Sequence, residues 1–229
     1  MNFSNFRVIT FDCYGTLIDW EAGILGALRP ILSAHRAPLP EREILRLYGE
    51  IEALEESGPY RGYREILRSV VRGFGGRLGF EPSEDEAQSL PDSLAEWRPF
   101  PDTVPALRRL KSRFQLGIIS NIDDDLFSPT LRRLEVDFDY LTTAAQARAY
   151  KPSPEIFRLA EKRMAARPGE WLHAAQSVYH DVCPARSLGL PTVWVNRRSA
   201  HPDAGAVRPA SASPDCEVPN LEALAALAC

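Results

Sequence analysis

Lysine is scarce in this sequence. Of 27 basic residues only Lys111, Lys151 and Lys162 are lysines, so a lysine inside a motif stands out. Cysteine is scarce too: the four lie at 13, 183, 216 and 229 with no CxxC pair, which excludes a disulfide framework built on close pairs. The four histidines are scattered, with none at the helical spacing of a metal pair, so a zinc site has no support. No apolar run approaches the roughly 20 residues needed to cross a bilayer. The opening residues, MNFSNFRVITFD, lack the basic and apolar regions of a secretion signal, so a soluble cytoplasmic protein is expected. Basic excess is missing as well. With 27 basic and 31 acidic residues the net charge is −4, which gives no footing for nucleic acid or an anionic membrane surface. At 45% hydrophobic and 25% charged, the composition excludes long disorder and fibrous repeats.

What is present is an alternation. A chain of 229 residues fits one large domain, or a domain with a smaller lobe. Short apolar, β-branched runs at 7–11, 116–120, 140–143, 177–179 and 192–196 read as buried strands. Helical patterns fall between them at 103–112, 124–134, 153–166, 182–188 and 220–228. Strands alternating with helices predict an α/β fold with a parallel sheet covered on both faces. The alternation stops once. From 18 to 98 the pattern is helical throughout, at 20–34, 41–56, 60–74 and 83–95, with breaks at Pro38-Leu39-Pro40, Ser57-Gly58-Pro59 and around Gly73–Gly76. The expected organisation is a Rossmann-like core from 1–17 and 99–229, interrupted by a helical cap at 18–98. The Ala-, Pro- and Ser-rich stretch at 199–219 reads as loop.

Ligands of an open parallel sheet bind beyond the carboxyl ends of its strands. The first strand delivers Asp12, then Tyr14 and Thr16; the second delivers Ser120 and Asn121. The third region leads to Lys151-Pro152, and the fourth to His180-Asp181. Each has an ordinary reading: Asp12 and Asp181 as caps, Ser120-Asn121 as turn chemistry, Lys-Pro as a helix start, His180 as a cap or packing residue. Together they supply a carboxylate nucleophile, a hydroxyl donor, a cation between anions and a second acid or base. Alternation turns Cys13 away from that rim.

Phe11-Asp12-Cys13-Tyr14-Gly15-Thr16-Leu17, Ser120-Asn121, Lys151-Pro152 and His180-Asp181 resemble the four motifs of the haloacid dehalogenase superfamily. The insertion at 18–98 lies where that superfamily places a helical cap. Within it the chain is most similar to the L-2-haloacid dehalogenases, and FDCYGTLIDWEAGI with the SNID and YHD segments is similar to azetidine-2-carboxylate hydrolases. Both act on small carboxylic acids substituted at C2. The superfamily is mostly Mg²⁺-dependent phosphatases, which the resemblance makes the reading to beat. Phosphatases carry a second Asp two residues after the nucleophile, where this chain has Tyr14, a poor base at neutral pH. The first acid of their metal-binding pair falls at Gln176, whose amide brings no charge to a hard dication.

The resemblance therefore implies metal-independent attack of Asp12 on C2, with no cofactor, and an aspartyl ester opened by water. Lys151 would keep Asp12 ionised, while Tyr14, Thr16, Ser120 and Asn121 would hold the nucleophile or the substrate carboxylate. Asp181, with His180, would activate the water. Dehalogenases place an arginine in the second cap helix to accept the halide; here that position is Gly49. Arg46 or Arg61 could take over, or a tethered ammonium could leave toward Glu21, Glu50, Glu52 or Glu55. Trp20 reads as packing, Trp97 as packing or as a residue facing the substrate, and Tyr60-Arg61-Gly62-Tyr63 as helix packing or as lining of the cap pocket. Dehalogenases of this type are often dimers, so a homodimer is the assembly suggested by analogy. A phosphatase and a non-catalytic binding protein on the same core are the competing readings.

Overall fold

The computed structural model describes residues 1–197 and 211–229. Six parallel strands form one sheet in the order β3-β2-β1-β4-β5-β6. They are β1 (Val8–Phe11), β2 (Gln115–Ser120), β3 (Tyr140–Thr143), β4 (Trp171–Ala175), β5 (Thr192–Val195) and β6 (Cys216–Val218). β1 is central and buried along its whole length, as a strand covered on both faces must be. Phe11 at its end pairs with Ile118 of β2 on one side and Ala174 of β4 on the other. The strand order reverses here, so the residue after Phe11 lies at the crevice where an α/β sheet binds its ligands.

Helices connect the strands: α5 (Thr103–Lys111), α6 (Asp124–Leu134), α7 (Ala144–Ala147), α8 (Pro154–Met164), α9 (Cys183–Ser187) and α10 (Leu221–Ala228). Between β1 and α5 come four more, α1 (Trp20–Ala34), α2 (Glu41–Glu56), α3 (Tyr63–Leu78) and α4 (Glu84–Ser93). α3 packs between α2 and α4, and α1 touches both outer helices. The chain leaves and rejoins the sheet layer at one place. Ile18 bridges Pro99, the Asp19 N–H donates to Arg98 O at 2.8 Å, and the Phe100 N–H to Leu17 O at 3.0 Å. None of the described helices is long and apolar enough to cross a membrane.

Three elements differ from the sequence reading. The fourth strand is β4, not 177–179, and Val178–Val182 instead forms one π-helical turn. Trp-Leu-His-Ala-Ala carries no β-branched residue, so propensity hides a strand whose burial is complete. β6, only three residues long, occupies the end of a stretch expected to be loop, of which 199–210 lies outside the described residues. α3 runs through the glycines expected to end it. Gly73 is a close-approach site: a Cβ there would sit 2.7 Å from Ile51 Cγ2 of α2. The glycine serves helix packing rather than chain reversal.

Candidate active site

Asp12 follows β1 directly, and its N–H continues the ladder to Ala174 O at 3.2 Å. The chain then turns back on itself: the N–H groups of Thr16, Leu17 and Ile18 all donate to Cys13 O. Gly15 makes the turn at φ +91°, and a Cβ there would lie 2.9 Å from the Trp20 indole nitrogen. This brings Thr16 back over Asp12. The Thr16 hydroxyl accepts from the Gln176 N–H at 2.9 Å, which leaves its single hydrogen for Asp12 Oδ2 at 2.6 Å. Cys13 is fully buried and does not line the cavity.

Lys151 arrives from the loop before α8. Asn121, just past β2, holds that loop by its amide, accepting from the Lys151 N–H at 2.7 Å and donating to Lys151 O at 3.2 Å. The Lys151 ammonium is buried and uses three donors: Asp12 Oδ1 at 2.8 Å, Asp181 Oδ1 at 2.7 Å and Ile119 O at 3.0 Å. Burial alone would strip its proton; the two carboxylates more than offset that and hold its pKa above the ordinary lysine range. Asp181 is likewise opposed by burial, but Lys151 and a hydrogen bond from His173 hold it below the ordinary carboxylate range. Asp12 goes the other way. Its burial, reinforced by Asp181, outweighs Lys151 and Thr16 and raises its pKa.

A small cavity of about 50 Å³ opens above these groups. Its sheet side is lined by Asp12, Tyr14, Ser120, Asn121, Lys151, Gln176, Ser177, His180 and Asp181. Of the catalytic and substrate-holding residues expected from the sequence, all but Thr16 border it, and Thr16 lies beneath, on Asp12. Of the residues offered for the leaving group, Glu52 borders it and Arg46, Arg61, Glu21, Glu50 and Glu55 do not. Their engagement differs. The Ser120 hydroxyl is buried without a partner among the described residues. The Tyr14 hydroxyl is paired with Thr130 at 2.9 Å, so it is the ring that lines the cavity. The His180 N–H donates to Ser177 Oγ at 2.9 Å, a capping bond, while the residue also lines the cavity.

The helical side contributes Trp20, Glu52, Glu56 and Tyr63, and no arginine. Arg46 and Arg61 point outward, Arg46 to Glu43 and Glu50, Arg61 to Glu55 and Ser69. Glu52 is buried and accepts on Oε1 from the Tyr48 hydroxyl at 2.8 Å and the Tyr63 hydroxyl at 2.5 Å. Burial nevertheless raises its pKa. Glu56, within 3.5 Å of Asn121 Nδ2, is raised further by burial and by Glu52. Trp20 thus lines the cavity, against its reading as packing, and Tyr63 takes the pocket-lining alternative of its two readings. Trp97 fits its packing reading, edge-on to Tyr14 at 5.8 Å and bonded to Ser93.

Two further residues at the site escaped sequence reasoning. Glu56 lies one helical turn beyond Glu52 on α2, a spacing that could have found it. His173 lies inside β4, where its Nε2 meets Asp181 Oδ1 at 3.0 Å. No motif marks it, and the misplaced strand concealed its register. A dication of the phosphatase kind does not fit these residues. Gln176 occupies the position of the first acid of the metal-binding pair, Lys151 stands between Asp12 and Asp181, and no described group of three His, Cys, Asp or Glu could hold a metal.

The family described as haloacid dehalogenase-like hydrolase matches residues 6–174. An (S)-2-haloacid dehalogenase of Pseudomonas fluorescens is 29% identical over 222 residues, covering 95% of this chain and 94% of its own. Another, from Pseudomonas putida, is 30% identical over 84% of this chain and 86% of its own. The solved L-2-haloacid dehalogenase from Xanthobacter autotrophicus superposes with a TM-score of 0.82 at 21% identity, over 97% of this chain and 98% of that one. This chain belongs to the haloacid dehalogenase-like hydrolase family.

Proposed function

We propose that this protein hydrolyses small 2-substituted carboxylic acids, 2-haloacids among them, through a covalent ester on Asp12. The observation that carries the reading is the state of Asp12. It is a buried carboxylate at the sheet switch point, oriented by Thr16 and Lys151 and bordering a small cavity. A carboxylate oxygen attacks C2, the bond from C2 to the leaving group breaks, and the configuration at C2 inverts. Water then adds to the ester carbonyl at Asp12, and the 2-hydroxy acid leaves with an oxygen that began on Asp12. Dividing one hard displacement into two easier ones is the advantage of a covalent nucleophile.

Lys151 keeps Asp12 ionised and tethers it to Asp181. Asp181 takes the proton of the attacking water, with His180 on the wall beside it. The unpartnered Ser120 hydroxyl is the donor for the substrate carboxylate. Asn121 acts through Lys151, fixing its loop, and Tyr14 shapes the floor with its ring. Helices α1–α4 serve as a cap that closes water out, and a homodimer, suggested by analogy with the relatives, is read by sedimentation.

A second reading concerns the leaving group. The cavity wall holds Glu52 and Glu56 where a halide would need a cation, and the cap arginines face solvent. Two carboxylates suit a protonated amine. In azetidine-2-carboxylate the ring nitrogen is such a group: attack at C2 breaks the C2–N bond, and the amine stays tethered. Hydrolysis of the ester then gives 2-hydroxy-4-aminobutyrate. Mass spectrometry of products from L-2-chloropropionate and L-azetidine-2-carboxylate, in EDTA, tests both readings. Lactate supports dehalogenation and 2-hydroxy-4-aminobutyrate the ring opening. Neither product from folded protein, with phosphate released from phosphoesters on adding Mg²⁺, would overturn the proposal.

A further inference from the structure

The two acids on the cavity floor present four carboxylate oxygens. Asp12 Oδ1 takes Lys151 and Oδ2 takes Thr16. Asp181 Oδ1 takes both Lys151 and His173. Only Asp181 Oδ2 receives no hydrogen bond from a described residue, although it is buried. An unpaired buried carboxylate oxygen is costly, and here both available donors are drawn to the other oxygen. Lys151 and His173 together leave Oδ2 as the free oxygen.

His173 is itself held from behind. The Trp171 indole N–H donates to Thr10 Oγ1 at 2.7 Å. The Thr10 hydroxyl then has one hydrogen to give. His173 Nδ1 lies at 2.8 Å from it and Leu172 O at 3.5 Å, so the imidazole receives it. With Nδ1 accepting, the ring hydrogen of the neutral imidazole sits on Nε2, which donates to Asp181 Oδ1. The chain Trp171–Thr10–His173–Asp181 runs through the sheet from one strand to the next. Register explains its assembly, since Thr10 pairs directly with His173 and Val8 with Trp171. Phe157 closes the ring in from the side, edge-on at 5.2 Å.

We propose that His173 is a positioning residue for the second half of the reaction, turning Asp181 so that Oδ2 stays unpaired to accept a proton from the water that opens the Asp12 ester. The inference rests on the proposed role of Asp12 as nucleophile. In that step the water oxygen bonds to the Asp12 carbonyl carbon and one of its protons passes to Asp181 Oδ2. The bond from that carbon to the ester oxygen then breaks as Asp181 returns the proton to the product oxygen, and the second water proton leaves the regenerated Asp12 carboxyl for solvent. Ester formation needs Asp12 and Lys151 but no base, so it should be nearly indifferent to His173.

The test measures the two half-reactions separately in His173→Gln, His173→Asn and His173→Leu. Gln can present an N–H near the place of Nε2; Asn is too short, and Leu keeps bulk without a donor. L-2-Chloropropionate and L-azetidine-2-carboxylate are used in turn, and the ester on Asp12 is read by intact-protein mass after quenching. In H173N and H173L the ester is expected to accumulate, its hydrolysis slowed about 10- to 100-fold, with formation within about threefold of wild type. H173Q should restore hydrolysis to within about threefold of wild type. A variant that fails to fold is recognised by its melting curve, and the Gln/Asn pair then carries the comparison. Unchanged hydrolysis in H173N, or equal slowing of both steps in all variants, would overturn the role of His173. Wild-type turnover with no ester on Asp12 would instead overturn the nucleophile reading beneath it.

Discussion

On the sheet side of the cavity, a cation stands between the acids before any substrate arrives. Two carboxylates share one ammonium, Thr16 and His173 add a bond to each acid, Ile119 O takes the third ammonium hydrogen, and only Asp181 Oδ2 is left without a partner among the described residues. On the helical side, Glu52 and Glu56 face the cavity with phenol and amide partners, and no cationic side chain of that wall borders it. Burial raises both glutamates, whereas on the floor Lys151 holds Asp181 down. In the proposed function the floor carries the reaction and the wall meets the substrate. A change in the floor should damage turnover of every substrate; a change in the wall should sort one substrate from another.

The sharpest way to break this contrast is at Asp12. Asp12→Asn keeps the shape and removes the proposed nucleophile, so turnover of both acids should fall by about 10⁴-fold or more in steady-state assays. Lys151→Met comes next. It leaves Asp12 and Asp181 buried together without their cation, and should cost about 3–5 kcal/mol in denaturant unfolding as well as nearly all activity. Wall substitutions should be selective. Glu52→Gln is expected to raise KM for L-azetidine-2-carboxylate about 10-fold and to leave L-2-chloropropionate within about twofold. Equal effects on the two acids would erase the distinction between floor and wall.

Smaller effects sharpen the picture. Because burial raises Asp12, the acid limb of kcat/KM should lie above the ordinary aspartate range, with activity lost as pH falls through it. Thr16→Val removes a bond that favours the ionised form, so the limb should move to still higher pH. Arg46→Ala and Arg61→Ala should do least. Both side chains are more than 40% exposed and paired on the surface, so stability should hardly change and activity should stay as in the wild type. A large activity loss in either would restore a cap arginine as the leaving-group site.

The floor was legible in the sequence because strand ends announce themselves. Asp12, Ser120 and Asn121 each follow a run of apolar residues, and Lys151 stands out where lysine is scarce. Helices α1, α2 and α6 carry clear apolar periodicity, and their bounds follow from it. His173 was hidden because β4 lacks β-branched residues, and a buried histidine whose partners come from β1 and from the turn after β4 has no local signature. The wall was hidden for another reason. Which face of α2 meets the cavity depends on how it packs against α3, through contacts such as Gly73 on Ile51. Surface and wall glutamates look alike along one helix until that packing is known, so Glu50 and Glu52 could not be told apart.

The central claim is that Asp12 forms a covalent ester. A single turnover in H₂¹⁸O, with enzyme in excess over whichever acid is turned over, tests it most directly. The account expects the first product molecules to carry unlabelled oxygen at C2, with ¹⁸O appearing in the Asp12 peptide. Label in the product hydroxyl on that first turnover, with none in Asp12, would mean that water attacks C2 directly and would contradict the account.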